Sequence, residues 1–520
     1  MARIVNTEHA PLRDLTSWYS TWPGLRVAVY GLGVTGFAVA DTLAELGAHV
    51  LVVSSSAADE RAALLNVIGA GLVEQHDPTH TPSELVEFDP ELVVVSPGYH
   101  PDHPLILWAQ AAHIPIWGDI ELAWRVRDKV AAPNGSGTPA EWLCVTGTNG
   151  KTTTVRLTAT LVSAAGLRVA PCGNIGVPVL DAVRDPQGYD VLVVELSSYQ
   201  LHWTNRNEGG EIFPYSSVCL NVAEDHLDWH GSMAAYVGAK AKVYENTKVA
   251  CVYNRRDQRT LHMVEQADVV EGARAISFGL DVPGPSEVGI IDNILCDRAF
   301  LDDRAHRALE LATIEDLTES GLAAPHILAN ILAASALARS VGVEPKTIRD
   351  VLRVFRLDPH RIEQVGFASG IRWIDDSKAT NPHAAHASLS TYPSVVWVVG
   401  GLFKGVEVAD LIAQHAHRLR GAVLIGADRT ALRDAFERHA SGIPVLEVDT
   451  DQTDSVMQIA VRLAAQLARE GDTVLLAPAA ASMDQFKDYA QRGSLFRDAV
   501  DEYLGGESDD DQHTTPESAD

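Results

Sequence analysis

The stretch Thr146-Gly147-Thr148-Asn149-Gly150-Lys151-Thr152 decides how the central part of this sequence folds. It follows the apolar run 142–145 and precedes the segment 153–165, so we predict that it joins a strand to a helix. In such a unit the backbone N–H groups of the loop and the N-terminus of the helix face one small volume that favours phosphate. We expect Lys151 to reach the terminal phosphates of ATP or GTP, and the Thr152 hydroxyl to bind magnesium.

Composition excludes several classes of function. The chain has 520 residues, of which 46% are hydrophobic, which is enough for several cores and roughly two to four domains. Lys plus Arg is 41 against 69 for Asp plus Glu, and the resulting net charge of −28 argues against nucleic acid or an anionic membrane as partner. The 5 cysteines form no Cys-x-x-Cys, so we expect reduced core thiols. No apolar run approaches the ~18 residues that span a bilayer and no signal peptide is evident, so we expect a cytoplasmic protein.

A second glycine-rich turn lies near the N-terminus. The predicted strand 26–30 leads into Gly31-Leu32-Gly33-Val34-Thr35-Gly36, the Gly-x-Gly-x-x-Gly fingerprint of a dinucleotide-binding βαβ unit. An NAD enzyme is the weaker interpretation, because Ser54-Ser55-Ser56 stand where an acid would bind a ribose. The turn would then hold the diphosphate of another ligand. Ser96 follows the predicted strand 92–95 and is either a ligand contact or only a turn residue.

Polar clusters follow three apolar strands in the central part of the chain. They contain Asn174 after the first strand, Glu195 after the run 191–194, and His226 after a third strand. A carboxylate at the tip of a parallel strand beside a phosphate loop is well placed to bind magnesium, so Glu195 is the leading metal ligand, with a solvated glutamate as the alternative. His226 lies among acids and is either a ligand or a histidine held by local hydrogen bonds.

The segment 236–248 is predicted to form a helix, and the acidic segment 281–323 is weakly patterned. The remaining sequence alternates strands with helices and indicates an α/β protein with mostly parallel sheets. Linker-like compositions at 131–140 and 356–361 divide it. We therefore predict domains at 1–138, 139–357 and 358–505, followed by a disordered acidic tail at 506–520.

Taken together, these motifs resemble the Mur ligases, the ATP-dependent amino-acid-adding enzymes of bacterial peptidoglycan synthesis. Val145 before the phosphate loop fits that family, which does not use the usual first glycine. The stretches 173–176, 195–201 and 481–493 fit the branch that adds D-glutamate. The resemblance covers residues 20–504 and implies an N-terminal Rossmann-like, a central P-loop ATPase-like and a C-terminal Rossmann-like domain.

The resemblance also implies the reaction. The γ-phosphoryl of ATP would be moved onto the terminal carboxylate of UDP-N-acetylmuramoyl-L-alanine, and the amine of D-glutamate would attack the resulting acyl phosphate. Such a reaction depends on charge neutralisation and on positioning, which supplies on the order of 7–11 kcal/mol. We expect a monomer that binds no nucleic acid and inserts into no membrane.

Residue roles are implied position by position. The catalytic residues would be Lys151, His226, Lys240 and Lys378. The ATP contacts would be Gly147, Thr148, Asn149, Gly150, Lys151, Thr152, Thr153, Asn330, Arg361 and Asp376. The UDP-substrate contacts would be Val34, Thr35, Ser96, Asn174, Gln200 and His226, and the D-glutamate contacts would be Thr380, Lys404, Ser482 and Tyr489. Two Mg²⁺ ions would be bound by Thr152, Glu195, His226 and Lys240, the last as a CO₂-derived carbamate.

The sequence departs from the family pattern at two places. Ser54-Ser55 replace an acid-containing pair, which concerns the uracil or ribose contacts, and Ile327 replaces an asparagine near ATP. Two other functions stay open at this point. One is a sibling ligase that uses another amino acid or polyglutamylates a folate, and the other is a P-loop ATPase or switch protein. From spacing alone, Lys240 would be a surface lysine.

Overall fold

The computed structural model describes residues 12–55, 60–204, 209–319, 321–403, 405–449 and 453–510. They form three mostly parallel sheets flanked by helices, which confirms the predicted three-domain α/β class. Packing groups the first two sheets in one compact unit and the third sheet in another. The first unit comprises Met1–Val222, Ala234–Ala323 and Ile327–Phe355, and the second comprises Ala223–Met233, Ala324–His326 and Arg356–Asp520.

The first sheet has five parallel strands in the order β3-β2-β1-β4-β5. Because the order reverses between β1 and β4, a ligand crevice is expected at their carboxyl ends. The elements are β1 (Arg26–Tyr30), α1 (Val34–Glu45), β2 (His49–Ser54), α2 (Glu60–Val67), β3 (Gly71–Glu74), α3 (Ser83–Phe88), β4 (Leu92–Val95), α4 (Pro104–Ala111), β5 (Ile116–Gly118) and α5 (Asp119–Arg125).

The second sheet has the order β14-β13-β12-β11-β10-β9-β6-β8-β7, in which the β12–β13 and β13–β14 pairings are antiparallel and the pairing of β11 with β12 is parallel. Its elements are β6 (Glu141–Thr146), α6 (Lys151–Ala164), β7 (Val169–Gly173), α7 (Val179–Val183), β8 (Val191–Glu195), α8 (Ser198–His202), β9 (Ser216–Cys219), α9 (Leu227–His230), α10 (Met233–Ala241), β10 (Ala250–Asn254), α11 (Gln258–Gln266), β11 (Arg274–Phe278), β12 (Glu287–Ile291), β13 (Ile294–Asp297), β14 (Leu309–Thr313), α12 (Ile314–Glu319), α13 (Pro325–Ser340) and α14 (Pro345–Val354). The loops after β9, β6, β8 and β7 are therefore neighbours at one edge.

The third sheet has the order β15-β16-β20-β17-β18-β19, and only the β15–β16 pairing is antiparallel among its described strands. Its elements are β15 (Glu363–Ala368), β16 (Ile371–Asp375), α15 (Pro382–Thr391), β17 (Val395–Gly400), α16 (Ala409–His415), β18 (Leu419–Ile425), α17 (Thr430–His439), β19 (Val445–Glu447), α18 (Thr453–Leu467), β20 (Thr473–Leu476) and α19 (Tyr489–Asp510).

Both faces of the third sheet are covered, as the uninterrupted apolar strands predict. Along β17, Val396 and Val398 pack into one core and Trp397 and Val399 into the other. Successive side chains of a strand point to opposite faces, so a fully buried strand must be apolar at every position.

Three elements differ from the sequence prediction. The helix predicted over 236–248 ends at Ala241, because the next residues tighten into a 3-10 turn that buries Tyr244. The segment 281–323, which had no clear pattern, contains the antiparallel strands β12 to β14. Helix α19 continues to Asp510 where we predicted disorder, since extending a helix is easier than nucleating one. Residues 511–520 lie outside the described part of the chain.

The five cysteines are buried free thiols, as predicted. Burial raises the pKa of Cys144 to about 12. Among the helices that the structure describes, none combines the length and the apolar character needed to cross a bilayer.

Acid should weaken the second unit through His415. This side chain is 3% exposed, its Nε2 lies 2.9 Å from His386 Nδ1, and burial lowers its pKa to about 4. The unfolded chain therefore binds more protons than the folded chain between pH 6.5 and 4, so stability falls as pH drops through that window, by at most about 1.4 kcal/mol per pH unit. We expect His415→Gln to flatten the dependence of the melting temperature on pH between 7.5 and 5. The exposed His417 supplies the control, and an equal flattening in His417→Gln would contradict this assignment.

Candidate active site

The phosphate loop is closed by contacts that only glycine permits. Gly150 has φ of +85° and caps α6, and a Cβ built on it would lie 2.3 Å from Asn330 Oδ1. The loop is also bonded to the end of β9, where the N–H of Asn149 donates to Asn221 Oδ1 at 2.9 Å and Asn221 Nδ2 donates back to the Asn149 carbonyl at 3.0 Å. The structure thus brings the predicted residues Asn149, Gly150 and Asn330 together.

Two lysines meet at the carbonyl of Gly147. Lys151 Nζ donates to it at 2.8 Å and Lys240 Nζ donates to it at 2.9 Å. Lys240 is 1% exposed, so it is not the surface lysine that its spacing suggested. Its Nζ lies 4.7 Å from the centroid of Tyr236, whose hydroxyl is 2.9 Å from Thr148 Oγ1.

Glu195 ends β8 between the strand of the phosphate loop and β7. Its side chain is 1% exposed, and its Oε1 accepts a hydrogen bond from Asn174 Nδ2 at 2.9 Å. Its Oε2 has no hydrogen-bond partner among the described residues. The alternative of a solvated glutamate is therefore wrong, and a buried carboxylate oxygen is left that suits a cation.

The crevice of the first sheet contains the glycine-rich turn and Ser96. A Cβ on Gly31 would lie 2.8 Å from Ser96 Oγ, and a Cβ on Gly36 would lie 2.0 Å from the Gly31 carbonyl oxygen. Ser96 Oγ is buried and has no partner in the described part of the chain. At the start of α1, Val34 is exposed and Thr35 is half-buried. The turn is therefore tight on its inner side and open where α1 begins.

Gln200 is more constrained than a simple substrate contact. It is 3% exposed, and its Nε2 donates to Asp119 Oδ2 at 3.0 Å. Its Oε1 accepts from the N–H and the hydroxyl of Ser197, both at 3.1 Å, which forms a capping box at the start of α8.

In the second unit, the acids after β16 are already bonded. Asp376 accepts from Ser388 Oγ and, at 3.3 Å, from the N–H of Ile362. Burial raises its pKa to about 6 against the opposing effect of Ser388 and Arg361. Arg361 therefore acts on Asp376, which is where the sequence predicted two ATP contacts.

Asp375 belongs to a cluster with His360 and Glu363, whose polar atoms lie within 4.8 Å of one another. His360 Nδ1 and Asp375 Oδ2 share a hydrogen bond of 2.6 Å, and Glu363 Oε2 accepts from the N–H of His360 and from Arg497. These atoms satisfy one another, so the cluster is a hydrogen-bonded anchor for the start of the sheet.

Lys378 and Tyr489 lie together, with Lys378 Nζ 3.7 Å from the ring centroid. Ser482 is 4% exposed and adjoins Ala481, whose N–H and carbonyl pair with Leu402. The predicted D-glutamate residues thus follow β16, β20 and β17, which are adjacent in the sheet. Lys404 lies outside the described residues.

His226 lies in a part of the second unit that reaches the loop after β16. Its φ is +54° and its N–H donates to Asp225 Oδ1 at 2.9 Å. Asp225 Oδ2 in turn accepts from Asn381 Nδ2 at 3.2 Å, and Asn381 directly follows Thr380. His226 therefore belongs to the second unit, whereas Thr152, Glu195 and Lys240 belong to the first.

Sequence reasoning missed three residues of this region. Arg492 is fully buried, and its guanidinium donates to the hydroxyl and carbonyl of Ser377 and to the Ala480 carbonyl. Arg492 lies within the stretch 481–493 that carries the family resemblance, and this position was a usable signal. Tyr236 precedes Lys240 by four residues, so both lie on one face of α10, and this spacing was a second usable signal. Asn221 offered only its polar side chain after a strand.

The family follows from comparison with known proteins. Three family models match in chain order, described as the Mur ligase MurD-like N-terminal domain over residues 25–118, the Mur ligase middle domain over 145–338, and the Mur ligase glutamate ligase domain over 360–480. The chain belongs to the Mur ligase family.

Individual relatives of this chain carry names that specify one ligase within the family. The UDP-N-acetylmuramoylalanine--D-glutamate ligase of Leifsonia xyli subsp. xyli is 71% identical over 96% of both chains. The protein of the same name from Streptomyces avermitilis is 51% identical over 92% of this chain and 99% of its own. Among solved structures, the fold is shared with UDP-N-acetylmuramate-alanine ligase MurC of Thermotoga maritima (19% identity, TM-score 0.53, covering 93% of this chain and 100% of that one). It is also shared with MurF ligase of the same organism in complex with ADP (18% identity, TM-score 0.52, 96% and 100%).

Proposed function

We infer that this chain is an ATP-dependent ligase that joins D-glutamate to UDP-N-acetylmuramoyl-L-alanine in peptidoglycan precursor synthesis. The observation that carries the inference is the identity of 71% with a relative of that name along 96% of both chains. The phosphate loop and the buried Glu195, which ends the neighbouring strand, support the proposal because they would supply the phosphate and magnesium contacts that such a ligase needs.

The reaction requires a carboxylate to become an electrophile. Transfer of the γ-phosphoryl of ATP to the L-alanine carboxylate creates an acyl phosphate, which the amine of D-glutamate attacks, and phosphate leaves. Lys151 and the N–H groups at the start of α6 would hold the phosphates and offset the charge that develops on them. Lys378, against Tyr489, would supply positive charge on the side of the third sheet.

The proposed ligand contacts follow the sheets. We assign ATP to Gly147 through Thr153 with Asn330, Arg361 and Asp376, and the UDP substrate to Val34, Thr35, Ser96, Asn174, Gln200 and His226. We assign D-glutamate to Thr380, Lys404, Ser482 and Tyr489. Domain limits at 138/139, 357/358 and 505/506 are proposed with them, as are a monomeric state and a cytoplasmic location.

Magnesium fits the residues of the first unit. Glu195 is buried and its Oε2 lacks a partner among the described side chains and backbone groups, while Thr152 is the second residue of helix α6. Mg²⁺ would neutralise phosphate charge there. For a second ion we propose His226 and Lys240. A carbamate on Lys240 would keep one N–H for the Gly147 carbonyl and would add the carboxylate oxygens that a cation needs.

Replacing Glu195 by glutamine should raise the magnesium concentration needed for half-maximal ADP release by on the order of 10-fold or more, because the amide keeps the volume and removes the charge. The measurement is a magnesium titration of ADP release. Glu141→Gln is the matched control, because Glu141 begins the neighbouring strand at its far end and pairs with Lys248. An unchanged magnesium requirement in Glu195→Gln would remove Glu195 from the site.

The proposed function is tested by ADP release from ATP and magnesium with UDP-N-acetylmuramoyl-L-alanine, comparing D-glutamate, L-glutamate and no amino acid. Release that depends on D-glutamate, with a product heavier by one glutamyl unit, is expected. Dependence on another amino acid would establish a sibling ligase, and release without any amino acid would establish an ATPase.

A further inference from the structure

A buried polar contact joins α8 to the first sheet. Asp119, the first residue of α5, is 5% exposed and accepts from Gln200 Nε2 at 3.0 Å. The side chain of glutamine has an NH₂ group with two N–H donors and a carbonyl oxygen that accepts. Ser197 binds Oε1 of Gln200 and Asp119 accepts from its Nε2, so the two residues together fix the orientation of the amide.

The backbones meet closely at the same place. A Cβ built on Gly118, which precedes Asp119, would lie 3.0 Å from Trp203 Cβ, and Trp203 directly follows α8. The helix is therefore fixed against the end of β5 by steric contact as well as by the hydrogen bond.

Asp119 has chemistry that packing alone does not explain. Its Oδ1 has no hydrogen-bond partner among the residues that the structure describes, although the side chain is buried. Burial raises the pKa of this carboxyl to about 6, against the opposing effects of Gln200 and of the backbone N–H groups of Asp119 and Ile120 at the start of α5. Burying a carboxyl oxygen that lacks a hydrogen-bond partner lowers the stability of the fold. We therefore attribute the role of Asp119 to the residue that it orients, Gln200.

What Asp119 orients is the segment that begins at Glu195. Helix α8 starts three residues after Glu195, and the capping box ties Ser197 to Gln200. Through Gln200, Asp119 bonds this segment to the sheet that carries the Gly31 turn and Ser96.

We propose that Asp119 is a positioning residue of the ligase, which acts through Gln200 to align the muramoyl-alanine end of the UDP substrate with the Glu195 segment. The proposal rests on the proposed function, because that substrate must extend from the first sheet to the phosphate loop. The UDP end, held at the first sheet, does not depend on Asp119.

The test compares Asp119→Ala, Asp119→Asn and Gln200→Ala in the full chain. We expect Asp119→Ala to raise the KM for UDP-N-acetylmuramoyl-L-alanine by on the order of 10-fold, which is the scale of one lost charged hydrogen bond. The Kd of UDP alone, measured by calorimetry, and the KM for ATP should stay within about 2-fold, the limit we set for no change. Asp119→Asn keeps an acceptor for Gln200 and should recover most of the loss. The double variant should be no worse than Gln200→Ala, since both act through one contact.

Asp190→Ala is the matched control. Asp190 is a buried acid that accepts from the N–H groups of Asn134 and Arg168 near the opposite end of β8. The Asp190→Ala variant should have a lower melting temperature. Its KM for UDP-N-acetylmuramoyl-L-alanine, its Kd for UDP and its KM for ATP should keep their wild-type ratio. A uniform rise of all three constants in Asp119→Ala, or additive losses in the double variant, would overturn the proposal. If Asp119→Ala does not fold, a wild-type UDP-substrate KM in Gln200→Ala would overturn it equally. Failure of the proposed function would instead appear as an inactive wild-type enzyme.

Discussion

Lys151→Ala should lower D-glutamate-dependent ADP release by on the order of 10²–10³ or more, the scale of removing one preorganised charged group from a phosphoryl-transfer site. Lys151 begins α6, and its Nζ lies within 2.9 Å of the carbonyls of Gly147 and Thr148. It is thus held over the loop that we propose binds the phosphates. Alanine removes the charge and leaves the loop and its glycines in place.

The measurement for Lys151 is the initial rate of ADP release at saturating substrates, together with the melting temperature. Lys248→Ala is the matched control, because Lys248 lies in the same unit and pairs with Glu141 at the amino end of β6. We expect its rate to stay near wild type. A Lys151→Ala enzyme that melts normally and retains more than about a tenth of the rate would exclude Lys151 from phosphoryl transfer.

Much of the site's location was predictable from the sequence, for one physical reason. The carboxyl ends of adjacent parallel strands share an edge, so polar residues that follow buried apolar runs must meet there. This argument predicts that Asn174, Glu195 and the phosphate loop lie close together in the first unit. The same argument predicts that the loops after β16, β17 and β20 lie close together in the second unit.

Burial of single polar side chains was not predictable in the same way. The helical context of Lys240 resembles that of an exposed lysine, and its burial depends on the tertiary contact with the Gly147 carbonyl. The partnership of Asp119 with Gln200 likewise joins residues 81 positions apart in sequence. No periodicity encodes a contact between two such distant elements.

The sequence between strands β12 and β13 contains a local signal for a hairpin turn. Asp292 and Asn293 connect them with φ of +45° and +67°, the left-handed pair that a two-residue hairpin turn requires. Asp and Asn tolerate this region better than other side chains. An Asp-Asn pair between Ile291 and Ile294 was therefore a hairpin prediction available from the sequence.

Lys240→Met should reduce ligase activity by on the order of 100-fold or more, because it removes the donor to Gly147 and the nitrogen on which a carbamate would form. Methionine preserves the length of the buried side chain, which alanine would replace by a cavity. Lys242→Met is the matched control, since Lys242 Nζ is also bonded to backbone carbonyls, those of His202 at 2.9 Å and Thr204 at 2.8 Å. We expect Lys242→Met to retain activity within a few-fold.

The two roles of Lys240 separate by their dependence on CO₂. If a carbamate forms, wild-type activity falls when bicarbonate and dissolved CO₂ are removed and returns when bicarbonate is added, and Lys242→Met behaves in the same way. If Lys240 acts only as an ammonium donor to the Gly147 carbonyl, Lys240→Met is still inactive, whereas wild-type activity is the same at every bicarbonate concentration. That second pattern would overturn the carbamate and retain the lysine as part of the phosphate loop, because the hydrogen bond to Gly147 requires only an N–H.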